Sequence, residues 1–292
     1  MTVLLTPATA QAVLDRHGLA TRRRDGQHLL VDPNTVRRIV AAADLDPDDV
    51  VLEVGPGIGS LTLGLADVVR RVVAVELDAG FVTALHDVLA DADVATVEVV
   101  HADALAVDLA ALVGGGPARL VANLPYNVAT AIVVEALASA AFDGVFVMVQ
   151  REVGERWAAR AGRPAYSGVS AKLGVLATVT VALQVPRGVF LPVPNVDSVM
   201  VRLDRRPDAP DPAGFARVAR VVDTAFAQRR KTLRNTLRDL GGTAVVTGAL
   251  LAAGVDPGAR PETLDPETFV RLTDALMDAG VDLGDPAPAT RP

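Results

Sequence analysis

Four consecutive residues, Asn123-Leu124-Pro125-Tyr126, carry the sharpest chemistry in the chain. They follow the apolar run Arg119-Leu120-Val121-Ala122, which reads as a buried strand. Proline supplies no N–H to a sheet ladder, so the strand ends here and the backbone turns outward. The turn leaves an amide side chain, carbonyls released from the ladder and an aromatic ring at the carboxyl end of a strand. In open α/β sheets that edge is where ligands bind. The amide oxygen of Asn123 and an adjacent carbonyl, Leu124's, can accept both hydrogens of an exocyclic amine. The Tyr126 face can stack on the flat ring carrying that amine. The same residues also suit a plain strand-ending turn with a packed tyrosine, and the rest of the chain has to decide between the two.

A second group lies nearer the start. Val50-Val51-Leu52-Glu53-Val54 reads as a short strand running into Gly55-Pro56-Gly57-Ile58-Gly59-Ser60, with a helix after it. Glycines there let the backbone curve tightly and let a ligand approach where a Cβ would block it. The next strand, Val72 to Val75, ends in Glu76. An acid about 20 positions beyond a glycine turn suits ribose hydroxyls. Together these point to a nucleoside-containing cofactor. The turn is G-x-G-x-G rather than the G-x-G-x-x-G of dinucleotide sites. Glu53, as a fixed carboxylate, would suit a cofactor with a sulfonium and an ammonium better than one with a pyrophosphate; it also suits the plain task of capping a backbone group. Asp103 follows a third strand, Val97 to Val100, where it could accept from an adenine amine or simply cap its loop.

These groups need an α/β scaffold. Continuous apolar strands, the last Val145 to Val149, alternate with helical stretches, so a Rossmann-like parallel sheet covered on both faces is expected. Residues up to about Arg24 lack a strong period and read as an arm. Asp32-Pro33 reads as a helix cap. Val179–Val185 and Val199–Leu203 read as further strands, separated by a proline-stiffened loop headed by Phe190. Composition shifts at Arg205-Arg206-Pro207, so a catalytic domain is expected over residues 1–206. A small all-α domain with a disordered tail is expected over residues 207–292.

The chain has 292 residues, half of them apolar, with no cysteine and four scattered histidines. Disulfide and thiolate chemistry are excluded, and no metal is expected. No apolar run is long enough to span a bilayer, and the first residues lack a signal-peptide layout, so a cytoplasmic protein is expected. The formal net charge of -7 argues against general nucleic-acid stickiness. It leaves room for local basic footprints: Arg22-Arg23-Arg24, and Arg229-Arg230-Lys231 with Arg234 and Arg238. Such runs more often mark a solvated helix face.

With these motifs placed, the sequence resembles the ribosomal RNA small-subunit adenine dimethyltransferase family (RsmA/KsgA, dimethyladenosine transferase). The matching stretches are Gly26 to Leu30, Glu53 to Gly59, Val75 to Asp78, Ala102 to Ala104, Asn123 to Asn127, Phe190 to Pro194 with Val196 to Ser198, and Phe226 to Lys231. They follow the family's order over roughly residues 22 to 275. The resemblance implies S-adenosyl-L-methionine as cofactor and 16S ribosomal RNA as substrate, with N6,N6-dimethylation of two adjacent adenosines near its 3′ end, coupled to ribosome maturation. It implies that His28 and Leu30 flank the methionine end, that Gly55 lies beneath it with Gly57 in the same cofactor site, and that Glu76 takes the ribose and Asp103 the adenine. Asn123 would join the cofactor and target sites, with Tyr126 and Phe190 stacking on the target base. The two basic clusters would hold RNA phosphates. The family often has Asn-Phe where this chain has His28-Leu29. A monomer is expected. Three alternatives share features: a large-subunit adenine methylase of the macrolide-resistance kind, a ribosome-assembly factor with secondary methylation, and, on the glycine turn alone, a nicotinamide-dependent oxidoreductase.

Overall fold

The computed structural model describes residues 2–20, 28–125, 127–228 and 230–284. The chain forms two compact units, Met1–Gly154 with Thr180–Asp204, and Glu155–Val179 with Arg205–Pro292.

The first unit alternates strands and helices. In chain order they are α1 (Pro7–Arg16), β1 (Leu29–Leu30), α2 (Pro33–Ala43), β2 (Val50–Val54), α3 (Ser60–Ala66), β3 (Arg71–Glu76), α4 (Ala79–Asp91) and β4 (Val97–His101). Then come α5 (Leu109–Leu112), β5 (Ala118–Asn123), α6 (Ala129–Ala138) and β6 (Phe142–Gln150), with α7 (Arg151–Trp157) leaving the unit. The chain re-enters along β7 (Ala177–Val185), after α8 (Gly168–Leu176) of the other unit, and closes with β8 (Phe190–Leu191) and β9 (Ser198–Arg205). The described residues form a seven-stranded sheet in the order β4-β3-β2-β5-β6-β9-β7. β2 is parallel to β3 and β5, β3 to β4, and β5 to β6, as their apolar runs require. β9 departs from the expected all-parallel sheet: it runs antiparallel to β6, pairing Gln150 with Ser198.

Strand order reverses between β2 and β5, since β3 and β4 continue to one side of β2 and β5 and β6 to the other. The glycine turn leaves the carboxyl end of β2, and Asn123 ends β5. The two motifs therefore meet at the topological switch point, where loops diverge and leave a crevice.

Two segments differ from the sequence expectation. The first residues are not a loose arm: Thr6 caps α1 and Pro7 opens it, and Ala10, Val13 and Leu14 enter the main core. Leu29–Leu30 and Phe190–Leu191 form a two-stranded antiparallel ribbon, extended by a Val31 N–H bond of 2.9 Å to Val189 C=O.

The second unit contains α8 and then α9 (Pro212–Phe226), α10 (Leu233–Gly241), α11 (Thr243–Ala252) and α12 (Pro266–Asp278). Its bounds differ from a single break at residue 206, because Glu155–Val179 group with the later helices. Tyr166 explains this. Its hydroxyl donates to Leu264 C=O at 2.9 Å, and its ring packs edge-on against Phe226 at 6.0 Å. Among the described residues, no helix is long and apolar enough to cross a membrane.

Candidate active site

A cavity of about 1130 Å³ opens at the switch point, lined among others by Gly55, Gly57, Glu76, Asp103, Asn123 and Gln150. Single-ligand pockets usually run about 300–1,000 Å³. This one has room for a nucleoside-sized ligand and a second flat ring beside it.

The glycine turn floors the cavity. Gly55 has φ 71° and Gly57 φ 58°, left-handed values that favour glycine. A Cβ on Gly57 would stand 2.7 Å from Leu29 Cδ2, so the turn and the ribbon pack without a side chain's width between them. The Gly57 N–H donates to Glu76 Oε2 at 3.0 Å, while Leu77 and Asp78 N–H donate to Oε1 at 2.9 and 3.0 Å. These three bonds fix the carboxylate against the turn, with acceptor capacity left for a hydroxyl. Burial pushes the Glu76 carboxyl above the usual carboxylate range, and the backbone bonds oppose that rise.

Glu53 behaves otherwise. It is 2% exposed, and it does not line the cavity. Burial pushes its carboxyl up to about 8; the Thr62 hydroxyl opposes the rise and Glu76 adds to it. Thr62 falls short of a formed bond: Glu53 Oε2, Ser60 Oγ and Thr62 Oγ1 are all buried without a hydrogen-bond partner among the described residues. Burial therefore favours the neutral acid at Glu53, against the fixed carboxylate expected from the sequence.

Asn123 is oriented by the ribbon. Its Nδ2 donates to His28 C=O at 2.9 Å, which leaves Oδ1 as the acceptor it offers to the cavity. His28 Nδ1 lies 2.8 Å from Pro192 C=O. A carbonyl only accepts, so Nδ1 carries the hydrogen and donates. His28 thus ties the amide to the proline-stiffened loop, whose Pro194, Asn195 and Val196 wall the cavity. The loop is held in turn by Asp197, which accepts from the Arg151 guanidinium and from Arg187 N–H. Pro125 C=O receives the Val128 and Ala129 N–H groups that open α6, so the adjacent carbonyl the motif offers is Leu124's.

The structure brings His28, Gly55, Gly57, Glu76, Asp103 and Asn123 to one cavity. Asp103 is exposed, and its Oδ1 also caps Leu105 N–H at 2.9 Å. Leu30 and Phe190 do not reach the cavity. They are 3% and 2% exposed and pair with each other across the ribbon, inside the core. Leu29, one position earlier, lines the cavity in place of Leu30, and Phe190 supports the wall rather than presenting its ring. The Leu124 side chain is buried as well, so only its backbone is at issue. Arg230, Lys231 and Arg234 are exposed in the second unit. Tyr126, Arg22, Arg23, Arg24 and Arg229 lie outside the described residues. Sequence reasoning missed three amides that line the cavity, Asn127, Gln150 and Asn195. Gln150 ends its strand as Asn123 ends β5, and Asn127 and Asn195 lie just beyond Pro125 and Pro194.

Residues 18–278 match the profile of the family described as ribosomal RNA adenine dimethylase. The chain belongs to that family. It is 48% identical over 276 residues to the ribosomal RNA small subunit methyltransferase A of Thermobifida fusca, covering 93% of this chain and 96% of that protein. Among solved structures it is similar to the 23S rRNA methyltransferase ErmE, at 30% identity and a TM-score of 0.65, covering 85% of this chain and 99% of that one. A dimethyladenosine transferase from Plasmodium falciparum shares the fold, at 24% identity and a TM-score of 0.72, over 87% and 99% of the two chains. The chain is thus an adenine dimethyltransferase with a Rossmann-like catalytic fold, and its cofactor is S-adenosyl-L-methionine. The residues present fit that cofactor. A cradle that a Cβ would fill, an acceptor pinned beside it by three backbone bonds and the carboxylate of Asp103 line one wall. An oriented amide lies beyond them.

Proposed function

We propose that the chain transfers two methyl groups to N6 of each of two adjacent adenosines near the 3′ end of 16S ribosomal RNA, as a monomer, during small-subunit maturation. The observation that carries this reading is the Asn123 amide, turned by His28 so that its oxygen faces the cavity floored by the glycine turn. The choice of small-subunit RNA rests on the curated relatives, 44–48% identical and named for that subunit, against 30% for the 23S enzyme.

An aromatic amine is a poor nucleophile because its lone pair is delocalised into the ring. Asn123 Oδ1 and Leu124 C=O each accept one N6 hydrogen, which favours a pyramidal nitrogen and frees the lone pair. Bound at the glycine turn, S-adenosyl-L-methionine supplies a methyl group on a cationic sulfur. Gly55 would lie beneath its methionine end, with Gly57 in the same turn; Glu76 and Asp103 would hold its ribose and adenine, and His28 and Leu29 would close over the turn. The rate comes from alignment and preorganised acceptors rather than from a strong base. The target base must leave its stack to enter. Stacking on Tyr126 would offset part of that cost, at about 1–3 kcal/mol.

The test is transfer of labelled methyl onto purified unmethylated small and large subunits, followed by mapping of the modified nucleotides. Label is expected on adjacent adenosines of the small subunit. Label on large-subunit RNA instead would move the chain to the 23S reading that its likeness to ErmE keeps open. Asn123→Ala should lower turnover by about 100-fold or more while cofactor affinity changes little. Near-normal turnover in that variant removes Asn123 from the mechanism.

A further inference from the structure

The cavity contains an amide that the reaction as derived leaves idle. Gln150 is the last residue of β6, and its side chain has no hydrogen-bond partner among the described residues. In the parallel pair β5–β6, Asn123 stands opposite Met148. Side chains two apart along a strand point to the same face. Gln150 therefore shares the face of Asn123, one step further out at the carboxyl edge. On its other side Gln150 pairs with Ser198 of β9, beside the loop whose Pro194, Asn195 and Val196 wall the cavity. It stands between the amine-binding amide and the far wall.

The amine site alone reads little. The Asn123 donor is committed to His28 C=O, so Asn123 and Leu124 present acceptors only. Acceptors hold any exocyclic amine. In adenine that amine is flanked by ring nitrogens that are themselves acceptors, whereas guanine carries an oxygen there. A complete adenine site needs a donor beside its acceptors, and the Gln150 amide has two N–H groups to give.

We propose that Gln150 is a base-recognition residue, donating a side-chain N–H to a ring nitrogen of the target adenine while Asn123 and Leu124 accept from its amine. This rests on adenine methylation as read above.

The test measures kcat/KM for unmethylated small subunits and, separately, Kd for S-adenosyl-L-methionine. Gln150→Leu removes the donor at similar volume and should lower kcat/KM about 10-fold or more, with the cofactor Kd unchanged. Gln150→Glu sets an acceptor against an acceptor. It should be worse than Gln150→Leu above about pH 7, and the gap should narrow only as pH falls to about 4, where the carboxyl takes up a proton and can donate. A merely structural role would not produce that pH reversal. The inference is overturned if Gln150→Leu keeps wild-type kcat/KM, if it loses cofactor affinity by the same factor, or if Gln150→Glu follows Gln150→Leu at every pH. Should Gln150→Leu fail to fold, the pH profile of Gln150→Glu against wild type decides. A wild-type protein that methylates no adenine sinks the underlying reading and this inference with it. A wild type that does so, with variants that keep pace, sinks the inference alone.

Discussion

Glu53 and Glu76 are acids on neighbouring strands beneath one turn, and their surroundings treat them differently. Glu76 faces three backbone N–H groups, so its charge is met. Glu53 faces hydroxyls that complete no bond to it, and its carboxyl is pushed up to about 8. In the unfolded chain the same group titrates near its ordinary value, about 4.3. A folded value raised above the unfolded one means the folded state binds the proton more tightly. Stability from this group is therefore whole below about 4.3 and is lost as pH rises through about 8. Glu53→Gln keeps a neutral group of the same shape and removes that loss. Thermal melts of the cofactor-free protein should show the variant drawing ahead of wild type as pH rises above about 5, the gap levelling off above about 8 at roughly 5 °C or more. Parallel melting curves across the pH range would show that Glu53 ionises freely in the fold. The sequence placed Glu53 on its strand but could not give its charge state. That depends on α3 covering it, a tertiary fact with no local signature. Gln150 was passed over for a related reason: Gln150-Arg151-Glu152 reads as the polar start of a helix, and only strand register shows that Gln150 ends β6 beside Asn123.

At the scale of elements, the two-residue ribbon of β1 and β8 positions the site. It places Leu29 over Gly57 and His28 between Asn123 and Pro192. Gly57→Ala tests this packing. The added Cβ would meet Leu29 at 2.7 Å, and φ 58° adds about 1–2 kcal/mol of backbone strain for a non-glycine residue. Cofactor affinity should fall about 10-fold or more, with a lower melting temperature, since the floor and its cover must part. Calorimetric titration checks it, and an unchanged Kd would show that the turn yields without disturbing the floor. The long strands were legible because runs such as Val145 to Val149 are apolar throughout. The ribbon was not, because two residues hold no period and their partners, Leu191 and Phe190, lie about 160 positions away. α1 was not legible either, because its buried face is only Ala10, Val13 and Leu14, too short a stripe to stand out.

For the molecule as a whole, charge sets the terms of RNA binding. A formal net charge of -7 repels a phosphate backbone at long range, so binding has to come from clustered cations. The family relationship makes RNA the substrate class, and composition alone would have argued the opposite. The later basic cluster was visible in the sequence. Its setting was not, because the second unit recruits Glu155–Val179 through Tyr166, across about a hundred residues of intervening chain, 98 positions to Leu264. Arg230, Lys231 and Arg234 are exposed there, and none of them forms an ion pair among the described residues, so their charge is available. If they hold phosphates, each contact releases condensed counterions, and the logarithm of affinity falls with the logarithm of salt by about 0.7–0.9 per contact. Replacing all three with glutamine should weaken small-subunit binding at low salt and flatten that slope by about 2–3. Cofactor binding should be untouched, because none of the three lines the cavity. Equilibrium binding at four or more salt concentrations measures the slope for both proteins. Weaker binding with an unchanged slope would mean the cluster acts through folding or shape; a slope that falls with the lost charges means it meets the backbone directly.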